Sequence, residues 1–198
     1  AWPSSRRDAA DAACLPGADM VAAQGGHPPD RHPTDRHPTY GLEAVRMIAE
    51  AVPDPELVVV TVGDLGIVRD IRTDAAGVEI DVTPTYSACP ATLAIERAIE
   101  TAVAAAGHEV RVRRVLDPAW TTDWITAQGR AKLKAAGIAP PAPRSQQDDG
   151  GYFARPEVAC PRCDSVDTVE LAPFGATACK AQYRCRSCHE PFDYFKCL

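Results

Sequence analysis

Apolar residues recur at helical spacing in three stretches of the chain. Residues 42–52 predict a short amphipathic helix that Pro53 ends. A second helix is predicted from Pro90, a favoured first helical residue, to Gly107. A third is predicted from about residue 126 to residue 136, with a glycine directly after it.

Strand patterns lie between these helices. Residues 78–83 alternate strictly between apolar and polar, residues 67–71 do so less regularly, and a turn at residues 73–77 joins them as a hairpin. Residues 109–115 predict a further strand, with valines facing one way and arginines the other. Residues 57–62 are an apolar, β-branched run typical of a strand. The order helix, strand, strand, helix, strand, helix predicts an α+β fold, a small two-layer α/β domain with a mixed sheet.

Composition divides the chain into four parts. Residues 1–39, rich in Ala, Asp, Pro and Gly, predict a disordered tail. Residues 40–138 form the α/β domain, residues 139–151 a linker, and residues 152–198 a C-terminal module. The tail repeats the pentapeptide Asp-Arg-His-Pro-Thr, and a solvated repeat is favoured over a metal site for its histidines, His27, His32 and His37.

Charge and hydropathy exclude two classes of partner. The net charge is -6 and no segment has an excess of Lys and Arg, so binding to nucleic acid is not expected. No apolar run approaches the roughly 18 residues of a membrane span, so no membrane contact is expected. Three aspartates follow Arg6-Arg7 where a signal peptide needs apolar residues, which favours a cytoplasmic location.

Six of the eight cysteines lie in the C-terminal module. Cys160 and Cys163 form one C-x-x-C pair, and Cys185 and Cys188 form another. Two such pairs can close a tetrahedral four-thiolate site, so the module is expected to be zinc-ribbon-like. Zinc is the favoured metal, iron or a cluster is the second choice, and two disulfides are the least favoured. Two further cysteines, Cys179 and Cys197, could each replace a ligand or bind a second metal.

Cys89 is the one thiol of the predicted α/β domain. Because it precedes Pro90 at a predicted helix start, the helix dipole is expected to favour its thiolate. The thiol is then a soft-metal ligand or a nucleophile, the alternative being a small buried hydrophobe. His108 lies at the far end of the same helix, roughly 28 Å away by helix rise, which counts against a Cys-His nucleophile.

The module's aromatic residues cluster near its end. The segment Pro191-Phe-Asp-Tyr-Phe195 is too large for a ribbon core to enclose entirely, which favours a protein-docking surface. The alternative is that these rings pack against the α/β domain.

Several motifs resemble known families. Asp54-Pro-Glu56, Asp64-Leu-Gly-Ile67, Thr83 and Cys89-Pro90 together resemble the domain shared by cytosolic iron-sulfur assembly factors and SufT-like proteins. Residues 41–198 are also similar, in order, to the PaaD family (PaaJ-type subunits). That similarity is carried by the segments 82–92, 118–124, 137–141, 174–180, 190–192 and 195–197.

The PaaD resemblance implies an accessory subunit of the phenylacetyl-CoA 1,2-epoxidase system of aerobic phenylacetate degradation. Such a subunit is not itself an enzyme and aids assembly of an iron or iron-sulfur centre; a stable structural subunit is the alternative. Cys89 would hold iron or a cluster transiently, with Asp54 and Glu56 assisting it or shaping its pocket. The expected partners are the oxygenase and reductase subunits and the iron-sulfur assembly machinery, with self-association into a homodimer left open.

Overall fold

The computed structural model describes residues 41–143 and 157–196. The chain divides into two compact units, Ala1–Pro38 and Thr39–Leu198, and all the described residues belong to the second. The predicted tail with its histidine repeat, most of the predicted linker, Cys14 and Cys197 lie outside the described residues.

Three α-helices, a short 3-10 helix (Thr122–Trp124) and a three-stranded sheet form the first module, and the α-helices and strands confirm the predicted order. The strands pair in the order β1-β2-β3, with β1 antiparallel and β3 parallel to β2, so the sheet is mixed. The longest helix has 14 residues, and no helix in the described ranges is long and apolar enough to cross a membrane. The elements are α1 (Leu42–Glu50), β1 (Val68–Asp74), β2 (Gly77–Val82), α2 (Thr92–Ala105), β3 (Val110–Arg114) and α3 (Ala127–Ala135).

One face of this sheet meets α1 and α2, and the apolar side chains of β2 explain why. Val78 and Ile80 alternate with polar neighbours and are buried beneath the helices with Ile99 and Val103 of α2. Because side chains along a strand point to opposite faces, Glu79 and Asp81 must lie on the other side.

Among the described residues, that other face carries ion pairs. Asp81 accepts hydrogen bonds from Arg72 of β1 at 2.8 Å and from Arg113 of β3 at 2.7 Å. Glu79 pairs with Arg72 and Arg111 in the same way across the three strands. The Arg113 and Arg72 guanidiniums hold the pKa of the buried Asp81 carboxyl well below its usual range. Charge pairing therefore stabilises the register of the sheet.

Replacing Asp81 with asparagine is expected to lower the free energy of unfolding at pH 7 by about 1–2 kcal/mol, since two partly exposed arginines lose their anion. The folded pKa of Asp81 is below its unfolded value, so its stabilisation is complete above about pH 4 and is lost as pH falls towards the folded pKa. The variant should therefore lose less stability in acid than the wild type. Urea unfolding between pH 2 and pH 7 measures this.

Asp70→Asn is the matched control, because Asp70 pairs with Arg72 at 3.2 Å but has a side chain 62% exposed. Its unfolding free energy should stay within about 0.5 kcal/mol of wild type. Equal losses in the two variants would contradict the role given to Asp81.

Residues 57–62 have the composition of a strand but do not form one. This segment is an irregular loop, and its one β-type pairing within the described ranges is an isolated bridge between Pro53 and Thr61. Asp54 and Asp64 bind backbone amides at either end of it, and this local bonding replaces a strand ladder. The β-branched residues fill the core from a loop, since Val60 and Val62 are buried while Val58 is exposed.

The second module is a four-stranded sheet of order β4-β7-β6-β5. Strands β5 (Thr168–Ala172), β6 (Lys180–Cys185) and β7 (Pro191–Phe195) form an antiparallel ribbon. The fourth strand, β4 (Ile138–Ala139), follows α3 of the first module and pairs in parallel with β7. Ala139, predicted as the first linker residue, thus lies within the ribbon's sheet.

The aromatic segment of β7 is buried, so the prediction of a docking surface is wrong. Phe192 and Tyr194 pack on Tyr183 inside the ribbon, with ring centroids 5.9 and 5.6 Å apart. Phe195 is 1% exposed and belongs to the core of the first module, where its ring meets Trp120 at 6.3 Å. The alternative, packing against the α/β domain, is correct for Phe195. The ribbon is held to the first module by a strand and by this ring.

Candidate functional site

The four cysteines of the two C-x-x-C pairs come together at one end of the ribbon. Their sulfur atoms all lie within 4.8 Å of one another. The Sγ atoms of Cys160 and Cys188 are 3.7 Å apart, and those of Cys163 and Cys185 are 3.5 Å apart. These separations exceed a disulfide bond of about 2.05 Å, which argues against the disulfide alternative.

The chemistry of this group fits a thiophilic metal. A tetrahedral zinc site with bonds of about 2.3 Å has sulfur to sulfur edges of about 3.8 Å, close to the separations found. Backbone amides of Cys188 and Ser187 lower the pKa of Cys185 to about 6. The Ser165 amide acts in the same direction on Cys163, but the neighbouring thiols Cys185 and Cys188 raise its pKa to about 12. Four thiolates therefore need a cation among them.

Cys89 lies in the loop between β2 and α2, and the prediction of a favoured thiolate is wrong. The helix begins at Thr92 and not at Pro90, so Cys89 precedes the first helical residue by three positions. Burial raises the pKa of the thiol, while the Ala91 amide and the Thr92 hydroxyl lower it. The charges of Glu56 and Asp54 raise it further. Desolvation and two carboxylates thus outweigh the helix terminus.

The two predicted carboxylates have different environments. Asp54 is buried, and its Oδ1 accepts hydrogen bonds from the amides of Glu56 and Leu57 at 2.8 and 2.7 Å. Burial raises the pKa of Asp54 although these amides oppose it. Asp54 therefore shapes the loop that carries Glu56, whose own carboxylate contacts the thiol of Cys179. The structure brings both carboxylates close enough to Cys89 for their charges to act on it.

Asp64, the remaining carboxylate of the motif, has a structural role. Its carboxylate accepts from the Thr61 amide at 2.9 Å and from Lys132 of α3 at 2.6 Å. Burial alone would raise its pKa, but Lys132 and Thr61 together lower it. Its backbone oxygen also accepts the Thr126 amide before α3, so Asp64 joins this helix to the loop.

The ribbon adds a second thiol to the Cys89 region. Cys179, just before β6, lies outside the four-cysteine group and in the core of the first module. Its Sγ contacts Glu56 Oε2 at 3.4 Å and Thr177 Oγ1 at 3.1 Å. The sequence did not predict where Cys179 lies. Its position outside both C-x-x-C pairs indicates that it is separate from the metal group, but does not show which surface it faces.

Comparisons with known proteins agree with this division into modules. Residues 42–116 match the family described as "Iron-sulfur cluster assembly protein", and residues 144–196 match the "PaaD zinc beta ribbon domain". A curated Escherichia coli K12 protein, named as one of the subunits of a "Putative 1,2-phenylacetyl-CoA epoxidase", is 51% identical over 148 residues, covering 74% of this chain and 87% of that protein. The chain belongs to the PaaD family. The resemblance read from residues 41–198 is thereby confirmed.

Solved structures also match this PaaD family member, one of them from Bacillus anthracis. The crystal structure of a domain of unknown function, DUF59, from Bacillus anthracis is 26% identical and has a TM-score of 0.43. The match covers 46% of this chain and 89% of the other.

Proposed function

We propose that this PaaD family member is an accessory subunit that matures the metal centre of a phenylacetyl-CoA epoxidase and is not itself catalytic. In this proposal Cys89 accepts iron or an iron-sulfur cluster as cargo and passes it to an oxygenase or reductase subunit. The observation that carries the proposal is the position of Cys89, a half-buried thiol within range of the charges of Glu56 and Asp54 in a domain of the iron-sulfur assembly family.

The environment of Cys89 suits a transient metal ligand better than a nucleophile. Nucleophilic cysteines need a lowered pKa, whereas burial and the charges of Glu56 and Asp54 raise that of Cys89. A metal cation reverses this balance, because it is attracted by the same carboxylates and displaces the thiol proton. Glu56 would assist cargo binding, and Asp54 would hold the loop that presents it.

The four-cysteine group serves as the resident metal site in this proposal. Cys160, Cys163, Cys185 and Cys188 would hold zinc, which supplies structural cross-linking of the ribbon and no redox chemistry. Because Phe195 and Cys179 lie on the same ribbon, the zinc site supports the contact between the modules.

The proposed partners follow from the curated relative and the assembly domain. That relative is named as part of an epoxidase, so oxygenase and reductase subunits are the expected recipients, and the iron-sulfur assembly machinery is the expected donor. We place this exchange in the cytoplasm. A stable structural subunit of the oxygenase is the alternative.

Cys89→Ala is expected to prevent assembly of active epoxidase in a strain that lacks the native protein, because the cargo loses its receiving thiol. Activity should fall at least about 10-fold, the size of effect that even indirect disruption of a metal site produces. The measurements are phenylacetyl-CoA oxidation in extracts and the iron content of the purified oxygenase. Cys14→Ala, which removes a different thiol, is the matched control and should restore both.

Full restoration of iron content and activity by Cys89→Ala would refute the maturation role. Co-purification of that variant with active oxygenase at fixed stoichiometry would then support the structural alternative. Loss of activity with normal iron content would also contradict delivery of metal by Cys89.

A further inference from the structure

Cys179 belongs to the ribbon by sequence but points away from the ribbon's metal group. It is 5% exposed, and its carbonyl accepts the Lys196 amide at 2.9 Å, which ties the start of β6 to the end of β7. Its thiol contacts the carboxylate of Glu56 at 3.4 Å, across the boundary between the modules. A folded ribbon thus holds this thiol against the loop that carries Glu56.

Cys179 and Cys89 share one electrostatic environment. Cys179 lies in the core of the first module, and Cys89 and Tyr86 pack against that same core. The charges of Glu56 and Asp54 act on both thiols. Burial raises the pKa of each thiol, that of Cys179 to about 11. Both thiols are therefore protonated at neutral pH before a metal binds. Two thiols and a carboxylate from three different loops therefore converge on one region.

We infer that Cys179 is a second thiolate ligand for the cargo that Cys89 accepts, with Glu56, which contacts Cys179, as an oxygen ligand. This rests on the proposed function and extends it, because the ribbon then completes the cargo site. Thiolate with carboxylate is a donor set that suits iron. On binding, each sulfur forms a bond to the metal and releases its proton to solvent, and the oxidation state of the metal does not change.

The site closes around its metal and is not preformed. Among the residues that the structure describes, only the four ribbon cysteines already lie within 4.8 Å of one another as a group of three or more metal-binding side chains. The carrier site must therefore draw its loops together on binding. A preformed four-cysteine site suits a resident metal that stays bound, whereas a site that forms only on binding suits a cargo metal that must be released.

Anaerobic titration of the full chain with Fe²⁺, after the ribbon has been filled with zinc, tests the inference. Wild type should bind one further ion, with thiolate-to-metal charge-transfer absorption and release of about two protons per ion. Cys179→Ser should release about one proton, lose about half of that absorption and bind at least about 10-fold more weakly. Cys89→Ser should behave in the same way, and Cys14→Ser should match wild type.

Thr177→Val controls for packing around Cys179. It removes the hydroxyl that contacts the Cys179 sulfur but removes no proposed ligand, so proton release and absorption should match wild type. If Cys179→Ser binds the added ion with wild-type affinity, absorption and proton release, Cys179 is not a ligand. That result would leave the role of Cys89 in epoxidase assembly standing, since the strain experiment decides it separately.

Discussion

Cys185→Ser is expected to release the resident metal and unfold the ribbon. Structural zinc sites contribute about 10–16 kcal/mol of apparent binding free energy, more than a core of roughly 40 residues supplies by itself. Cys185 is fully buried among the four thiols, so its loss removes a ligand and leaves the others without a shared cation. Metal content should fall to below about one tenth of wild type. Hydrogen exchange should show loss of protection in β5, β6 and β7.

A buried hydroxyl could destabilise the ribbon by itself, so a second variant is needed. Cys163 belongs to the same group but is exposed, and Cys163→Ser removes a ligand without burying a polar group. Both variants should lose metal, while Cys14→Ser should keep it. Stoichiometric metal and native protection in Cys163→Ser would show that the four thiolates do not act as one site.

Phe195→Ala is expected to be the most damaging change at the boundary between the modules. The ring is 1% exposed in the core of the first module and contacts Trp120. Truncation leaves a cavity and should lower the free energy of unfolding by about 3–5 kcal/mol. For a chain of this length the midpoint of thermal unfolding should fall by about 6–20 °C. Trp120 fluorescence should shift to the red as water reaches its ring. Urea and thermal unfolding measure the loss.

Phe174→Ala provides the matched control for Phe195→Ala. Phe174 belongs to the same ribbon but is 61% exposed, with Lys196 Nζ 3.9 Å above its ring. Its truncation should cost no more than about 1 kcal/mol. A loss in Phe174→Ala as large as that in Phe195→Ala would mean that Phe195 does not anchor the ribbon.

Periodicity predicted the elements of the first module because their burial is one-sided. Val78 and Ile80 face the helices while Glu79 and Asp81 face the arginines, which is the alternation that a half-buried strand requires. The spacing of the two C-x-x-C pairs likewise predicted that the four sulfurs form one group, since each pair positions two sulfurs within one turn. In these cases the local pattern and the tertiary environment agree.

Three other features depend on contacts between distant residues. Residues 57–62 have strand composition, but Asp54 and Asp64 bind backbone amides there and no partner strand lies beside them in the part of the chain that the structure describes. The pKa of Cys89 is raised by burial and, to a smaller extent, by the charges of carboxylates from another loop. The burial of Phe195 depends on Trp120. Sequence spacing carries no information about any of these distances.

The hydrogen bond from the Lys196 amide to the Cys179 carbonyl fixes Cys179 to the end of the ribbon. Under the two proposals, iron binding at Cys179 therefore depends on the zinc that folds the ribbon. A chain without its ribbon zinc would still carry Cys89 but would lose the fold that fixes Cys179. Iron binding by the chain would then require zinc in the ribbon site. Cells starved of zinc should accumulate immature epoxidase even when iron is plentiful, and adding zinc alone should restore its maturation.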